Sequence, residues 1–591
     1  MHLLNIKLWN FRKFGSEEPF NIEKPNLNLN FTNGLNVLIG ENDSGKTAII
    51  DAIKLVLKTH SYEWIRVTHD DFYRNTTRLR IELLFTDLSD DEAKNFTEWL
   101  GWKDKEGNAE PYLRLIYDVK RRTDDAYIFP SEVRAGVDDE GYPLTAEARE
   151  FLKITYLKPL RDAESELIPR KNSRLSQILL GHEAFKGQHE SHLLVQKLKE
   201  FNKTIEQYFE GRDVQGNEIS DKKGKELKQE IDKFIKAFYD ADKETTFLAA
   251  QGNLKNILEK LEVSIKDVVH PGLGTLNRLF IAAELVHLQK KNWTGLRLGL
   301  IEELEAHLHP QAQMQIVETL QKAENIQLIL TTHSPNLGSK IRLENLILCS
   351  GNNAYPLGQK YTELNAEDYK FLERFLDTTK ANMFFAKGII LVEGWSEEIL
   401  LPAIARKLKS QGLISKDLTE AGVSIVNIGS KAFRRYSKIY LRKKEPYLNI
   451  PVALITDIDL PEYERSGDNI ILKEISHDMR NSKLNEIKNN YEKQNIKVFV
   501  APYWTLEYSI FKSDSLSQIF KEVFKEIHPQ INEKKYEIEL AKKLINKGLN
   551  KTEIAYRLAH EIEKNNAIKI DDNDEALQYL IEAIKYVCNG N

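Results

Sequence analysis

The chain has 591 residues, 29% of them charged and 41% hydrophobic, and a formal net charge of −5. That length exceeds what one hydrophobic core organises, so about three to four domains are expected, and the slight acidity confines any nucleic-acid contact to local basic patches. No apolar run approaches the roughly 20 residues that span a bilayer, MHLLNIKLWNFRKF lacks the features of a signal peptide, and the two cysteines, Cys349 and Cys588, have no metal-type spacing; together these argue against a membrane protein and for a cytoplasmic one.

The first part of the chain alternates apolar and polar residues in LLNIKLWNF, LNVLIG and RLRIELLFTDL, the pattern of short strands. Within it, NVLIGENDSGKTAIIDAIKLVL carries G-x-x-x-x-G-K-[ST] at Gly40, Gly45, Lys46 and Thr47, between an apolar strand and a helix-period run. Asn42 lies inside the same loop. Such a loop wraps phosphates in backbone N–H groups, Lys46 reaches the outer phosphates, and the Thr47 hydroxyl is placed to ligate Mg²⁺. From Leu167 to Val269 the pattern becomes helical and rich in Lys, Glu and Gln, which predicts a helical insertion. Its apolar faces exceed what a lone helix pair buries, which predicts self-association through it.

The strand in LRLGLIEELEAHLHP ends at Glu302 and Glu303. At such a strand end, Glu302 is placed to hold Mg²⁺ through water and Glu303 to polarise the attacking water of an ATPase. Glu305, His307 and His309 follow, and the next strand, IQLILTTHSP, ends at His333. A second α/β unit then offers the apolar segments GIILVEG, VSIVNIGS, PVALITDIDL and KVFVAPYW, separated by helical stretches, which predicts a parallel sheet. Glu393 ends the first segment, Glu397 lies one helical turn on, Asp457 and Asp459 end the third, and Glu507 follows the fourth. Acids at the C-terminal ends of parallel strands converge on one crevice, and a hard ion such as Mg²⁺ or Mn²⁺ relieves their repulsion. In KAFRRYSKIYLRKKEPY, Lys431, Arg435, Lys438 and Arg442 recur at helical spacing, a candidate contact with DNA phosphates, while Phe433, Tyr436 and Tyr440 form a packing side. Arg170, Lys171 and Arg174 form a second candidate contact.

The order P-loop, PGLGTLNRLFIAAEL, strand-Glu-Glu, strand-Thr-Thr-His resembles the ATP-binding-cassette heads of RecF and SMC proteins. That resemblance implies that Gly272 and Gly274 belong to a divergent signature segment meeting ATP held by the opposite subunit, that His333 is a switch histidine, and that two ATP molecules lie between two heads. LWNFRKF resembles the same group, making Arg12 and Lys13 either nucleotide contacts or part of a plain edge strand. No glutamine plainly matches the group's metal-sensing loop; Asp70 or Asp71 is the candidate in its place. Glu302 stands where the group has Asp, and Leu304 where it often has proline, which implies slow hydrolysis.

The order strand-Glu-Gly, Gly429, strand-Asp-x-Asp is similar to the Toprim domain of topoisomerases, primases and certain nucleases. An SMC-like head split by helices and followed by Toprim resembles the OLD (overcoming lysogenisation defect) family of ATP-dependent endonucleases, among them Gabija nuclease subunits and retron effectors. The resemblance covers essentially the whole chain. It implies an α/β fold: a head from residues 1–166 and 270–380, a helical dimerisation insertion at 167–269, and a Toprim nuclease domain with a helical extension at 381–591. It implies metal ligation by Glu393, Glu397, Asp457, Asp459 and Glu507, with Lys551 steadying the phosphate transition state. ATP, with Mg²⁺ or Mn²⁺ in both sites, double-stranded DNA as substrate, a homodimer or higher oligomer, a helicase or a reverse transcriptase with its noncoding RNA as partner, and a role against phage all follow from the same resemblance. The rival is an ATP-gated DNA clamp without nuclease activity; a primase is disfavoured by the missing zinc module, and a topoisomerase by the lack of a motif-placed tyrosine.

Overall fold

The computed structural model describes residues 1–60, 65–105, 108–122, 127–159, 166–187, 190–239, 243–249, 252–268, 270–290, 293–429, 432–467 and 469–588. An antiparallel sheet opens the chain: β1 (His2–Trp9), β2 (Leu27–Asn30), β4 (Arg78–Thr86), β6 (Asn108–Lys120), β7 (Arg134–Ala135) and β8 (Tyr142–Pro143) lie in the order β2-β1-β4-β6-β7-β8, with β5 (Leu100–Lys105) paired to β6. A second sheet takes β3 (Leu35–Ile39), β9 (Thr155–Leu157), β10 (Leu298–Ile301), β11 (Gln327–Thr331), β12 (Leu346–Ser350) and β13 (Asn353–Pro356), ordered β13-β12-β3-β11-β10-β9. Its inner strands are parallel and every residue of β3, β10 and β11 is buried. A strand covered on both faces reads as an unbroken apolar run, which is why LGLI and QLILT show no alternation. The helix Lys46–Leu57 follows β3 and buries Ile49, Ile50, Ile53 and Leu57 against both sheets.

β9 and β10 pair directly in parallel, and the whole helical insertion leaves and re-enters the head between them. Leu167 and Leu175, at the near end of the insertion, join the head's own core. The helices Leu193–Glu210 and Lys223–Tyr239 extend outward and leave Leu193, Phe201, Phe234 and Phe238 exposed.

The C-terminal unit is built on a parallel sheet of β14 (Gly388–Val392), β15 (Val423–Asn427), β16 (Val452–Thr456) and β19 (Ile496–Val500), ordered β15-β14-β16-β19; β17 (Tyr463–Ser466) and β18 (Asn469–Leu472) form a separate hairpin. The helices Trp395–Ser410 and Lys551–Lys564 pack on each other, and Gln578–Cys588 packs on β14, β16 and β19. One continuous apolar cluster joins Leu328 and Leu346 of the head, Leu357, Leu372 and Phe384 of the connecting stretch, and Tyr436, Tyr440 and Leu454 of the C-terminal unit. The two units therefore meet through a packed interior. No helix among the described residues is long and apolar enough to cross a membrane.

Candidate active sites

The phosphate loop follows β3 and turns into the helix that starts at Lys46. Gly40 has φ +137°, and a Cβ there would stand 2.3 Å from the Cys349 carbonyl oxygen; Gly45 has φ +101° at the helix N-cap. Both positions therefore exclude a side chain. Lys46 Nζ donates to the Gly40 carbonyl at 2.8 Å and to Ser44 Oγ at 3.1 Å. Its burial lowers the lysine pKa, and an incoming phosphate offers this ammonium a stronger partner than the loop's own carbonyls. Glu302, directly after β10, is 3% exposed, accepts from the Tyr156 hydroxyl at 2.7 Å and shares a hydrogen bond with Thr47. Burial raises its pKa against those two hydroxyls. Glu303 has φ 45° and its amide donates to Thr331 Oγ1 at 3.0 Å. Glu305 accepts from Thr332 Oγ1 at 2.8 Å and from the His333 amide at 2.6 Å, fixing the strand end that carries His333. Burial, with help from the Lys46 charge, lowers the His333 pKa. Thr47, Glu302, Glu303 and His333 thus surround one phosphate loop.

Gly272 caps the helix Leu273–Leu288, where a Cβ would meet open space, while one at Gly274 would lie 2.8 Å from the His307 carbonyl oxygen. Arg12 spans two acids, Asp71 at 2.9 Å and Asp51 of the P-loop helix at 2.7 Å. Asp71 is buried and also accepts from the Thr68 amide at 2.8 Å, so the acid expected in place of a metal-sensing glutamine is engaged in fixing its own loop; Asp70 is exposed. Lys13 Nζ reaches the Asp43 carbonyl in the phosphate loop at 2.6 Å.

The second cluster sits at the C-terminal ends of β14, β16 and β19. Thr456 Oγ1 donates to Glu393 Oε1. Glu397, in the first turn after β14, is 8% exposed, and burial together with Glu507 and Glu393 pushes its pKa up to about 7. Asp457 is raised well above the usual carboxylate range by burial, then by Glu507, Glu397 and Glu393. Glu507 opens the helix Leu506–Lys512, is buried, and accepts from Lys551 Nζ at 2.9 Å and from Ser396 Oγ at 3.4 Å. Burial alone would lower the Lys551 pKa, but Glu507, Asp457 and Glu397 outweigh it and hold it above its ordinary value. The site gathers more carboxyl groups than cations, Lys551 supplying the ammonium among the described residues. Asp459 departs from the expected strand alternation: β16 ends at Thr456, and Asp459 is exposed at φ 53° with its amide donating to the Trp504 carbonyl at 3.3 Å. Among the described residues no three Asp, Glu, His or Cys side chains are gathered tightly enough to chelate an ion as placed. The donor set nonetheless suits a hard cation, because mutually repelling carboxylates are the groups such an ion binds.

Two family models match this arrangement. The one described as "AAA domain, putative AbiEii toxin, Type IV TA system" covers residues 35–339, and the one described as "Overcoming lysogenization defect protein-like, TOPRIM domain" covers residues 384–459. The chain belongs to the OLD family of ATPase–nucleases. Endonuclease GajA of Bacillus cereus strain VD045 is 23% identical over 452 residues, 74% of this chain and 72% of that protein. Its counterpart in Bacillus cereus strain HuB5-5 is 21% identical over 561 residues, 79% of this chain and 78% of that protein. A shorter match, 40% identity over 68 residues and 11% of each chain, links it to the "Retron Ec83 probable ATPase" of Escherichia coli.

The basic segment of this OLD-family chain is not a free cationic face. Its helix runs only from Phe433 to Ser437. Phe433, Tyr436 and Tyr440 are buried as expected, but the cations are engaged as well: Lys438 pairs with Asp368 at 2.7 Å, Arg435 lies 3.5 Å from the same carboxylate and over the Phe371 ring, and Arg442 is buried, donating to the Pro356 carbonyl at 3.1 Å. Arg435, Lys438 and Arg442, expected at a DNA contact, are thus placed where they tie the Toprim unit to the stretch that follows the head. Lys431 lies outside the described residues. Arg174, a second expected DNA contact, is buried in a two-point ion pair with Glu284. Tyr579 escaped the sequence reading. It is buried from the last helix beneath Asp457, Glu397 and Glu507, and its hydroxyl has no hydrogen-bond partner among the described residues.

Proposed function

We propose that the protein is an ATP-regulated, divalent-metal-dependent DNA endonuclease of anti-phage defence. The observation that carries this reading is the set Glu393, Glu397, Asp457 and Glu507 at the C-terminal end of a parallel sheet, with raised pKa values at Glu397 and Asp457 and the Lys551 ammonium alongside. Divalent ions, when bound, supply the Lewis acid that activates water and stabilises the departing 3′ oxygen. In this reading Glu393, Glu397, Asp457, Asp459 and Glu507 hold Mg²⁺ or Mn²⁺. Thr456 and Ser396 orient Glu393 and Glu507 through their hydroxyls. Lys551 exchanges its Glu507 contact for a phosphate oxygen as charge builds there.

At the other site, Lys46 and Thr47 with the N–H groups from Gly40 to Gly45 receive ATP, Glu302 supports its Mg²⁺, Glu303 orients water, and His333 senses the outer phosphate. Gly272 and Gly274 present the signature helix to a second copy's nucleotide, which makes a homodimer or higher oligomer the working unit. We assign residues 1–166 and 270–380 to the head, 167–269 to the dimerising insertion and 381–591 to the nuclease. A helicase, or a reverse transcriptase with its noncoding RNA, is the proposed partner class, and the match to a retron ATPase supports the second.

Phosphodiester hydrolysis is downhill, so ATP sets the timing of cleavage and does not power it. Plasmid cleavage with Mg²⁺ or Mn²⁺ tests the reading: Asp457→Ala and Glu393→Ala should each lose cleavage by about a thousandfold or more while binding ATP normally. Cleavage persisting in both variants overturns the nuclease assignment.

A further inference from the structure

A cavity of about 240 Å³ opens beside the carboxylate cluster, lined among others by Asp377, Lys380, Trp395, Glu398, Asn427 and Gly429. It lies where β14 and β15 end, while the acids gather where β14 and β16 end; β14 stands between the two. Neighbouring strands are about 4.8 Å apart, so cavity and acids are separated by one to two strand spacings, roughly 5–10 Å, within the reach of one nucleotide from its phosphate to the far edge of its base.

The walls are specific. Trp395 begins the helix that carries Glu397, yet its indole is 63% exposed. Asn427 Nδ2 donates to Glu398 Oε2 at 2.9 Å, and Asn427 Oδ1 accepts from the Gly429 amide at 2.9 Å, which leaves the pair presenting a carboxylate oxygen next to an amide N–H. The space is below the roughly 300 Å³ at which pockets for larger ligands begin, and fits one planar heterocycle.

We propose that this cavity takes an unpaired nucleobase next to the scissile phosphate, stacked on Trp395 and read at its edge by Glu398 and Asn427. The inference rests on the endonuclease reading and narrows it: the substrate is DNA opened or with a nucleotide extruded at the cut. A base within a duplex has both faces covered and its pairing edge engaged, so it reaches such a site only by leaving the stack. A carboxylate at the edge favours bases with an exocyclic amine over thymine.

The test uses the full chain carrying Asp457→Ala and a short single-stranded oligonucleotide with one 2-aminopurine, whose fluorescence is quenched by stacking on indole. Trp395→Ala in that background should weaken binding about tenfold, the scale of one base–aromatic stack, and Trp395→Phe should keep affinity within about threefold. On an oligonucleotide abasic at that position the Trp395→Ala loss should vanish, and Glu398→Gln should shrink the preference for amine-bearing bases over thymine. Neither result follows from a merely structural role. If metal-dependent cleavage is never seen but quenching depends on Trp395, the base site stands and the endonuclease reading falls. If cleavage is robust and Trp395→Ala changes neither quenching nor KM, the base site falls alone.

Discussion

Asp368 is the joint between the two engines, and removing its charge is the sharpest mechanical test. Its carboxylate is 4% exposed, pairs with Lys438 at 2.7 Å, stands 3.5 Å from Arg435 and closes a capping box on the helix Ala366–Phe375 through the Asn365 amide. Breaking a fully buried pair costs about 3–5 kcal/mol, but the Lys438 side chain retains 16% exposure and Arg435 retains 39%. Solvent can therefore recover part of that cost, leaving about 2 kcal/mol for the pair. The cap adds about 1 kcal/mol, so Asp368→Ala should destabilise the joint by about 3 kcal/mol, roughly 150-fold in its opening equilibrium. Amide hydrogen exchange reads this directly: protection in 366–375 and 433–440 should drop by about two orders of magnitude, while β3 and the P-loop helix keep theirs. Under the proposed coupling, the ratio of cleavage rates with and without ATP should move toward one, with ATPase activity retained. Protection unchanged within about threefold in both segments would refute the assignment of Asp368 as the joint.

Four further outcomes follow from the same geometry. Arg442→Ala should leave the salt-dependent affinity for DNA unchanged while lowering thermal stability by about 2–4 kcal/mol through a lost buried contact; a weaker DNA complex in a stable variant would instead give Arg442 a DNA role. Glu303→Gln should bind ATP and hydrolyse it poorly, moving the cleavage rate in the direction opposite to Lys46→Ala, which binds none; identical cleavage in both removes the regulatory reading. Burial and nearby Arg174 and Lys290 hold His60 at about 3 and His287 at about 2, against about 6.5 for a free imidazole, so the unfolded chain takes up these protons first and stability, complete above about pH 6.5, falls as pH drops toward 3, by up to about 1.4 kcal/mol per unit for each ring. His287→Phe should flatten that slope in pH-dependent denaturation, and an unaltered slope would count against it. Phe201→Glu with Phe234→Glu should weaken self-association in sedimentation at least tenfold if the outward face of the insertion pairs with a second copy, and an unchanged oligomer would sink that idea.

What the sequence disclosed depended on how local the constraint was. The phosphate loop was legible because its glycines, lysine and threonine act within one turn, and Gly40 cannot carry a side chain against the Cys349 carbonyl. The carboxylates were legible because the C-terminal ends of parallel strands converge whatever the intervening loops do. The strand alternation that paired Asp459 with Asp457 does not reach that far, because β16 stops at Thr456. Helical spacing describes the cationic segment poorly for a related reason: its α-helix holds only five residues, and the partner of Lys438 lies 70 residues upstream. Tyr579 carries no motif, and only the folding of the last helix under the sheet brings its hydroxyl to the acids.

The continuous interior that links the head to the Toprim sheet also fixes where this protein can be taken apart. Leu357, Leu372 and Phe384 on one side and Tyr436, Tyr440 and Leu441 on the other bury one another, so a cut at residue 380 would strip apolar surface from both products. Chimeras that exchange nuclease units between relatives should therefore move residues 357–386 together with 433–450 as one cassette, and a nuclease fragment beginning at 381 is expected to aggregate where one beginning near 357 stays in solution.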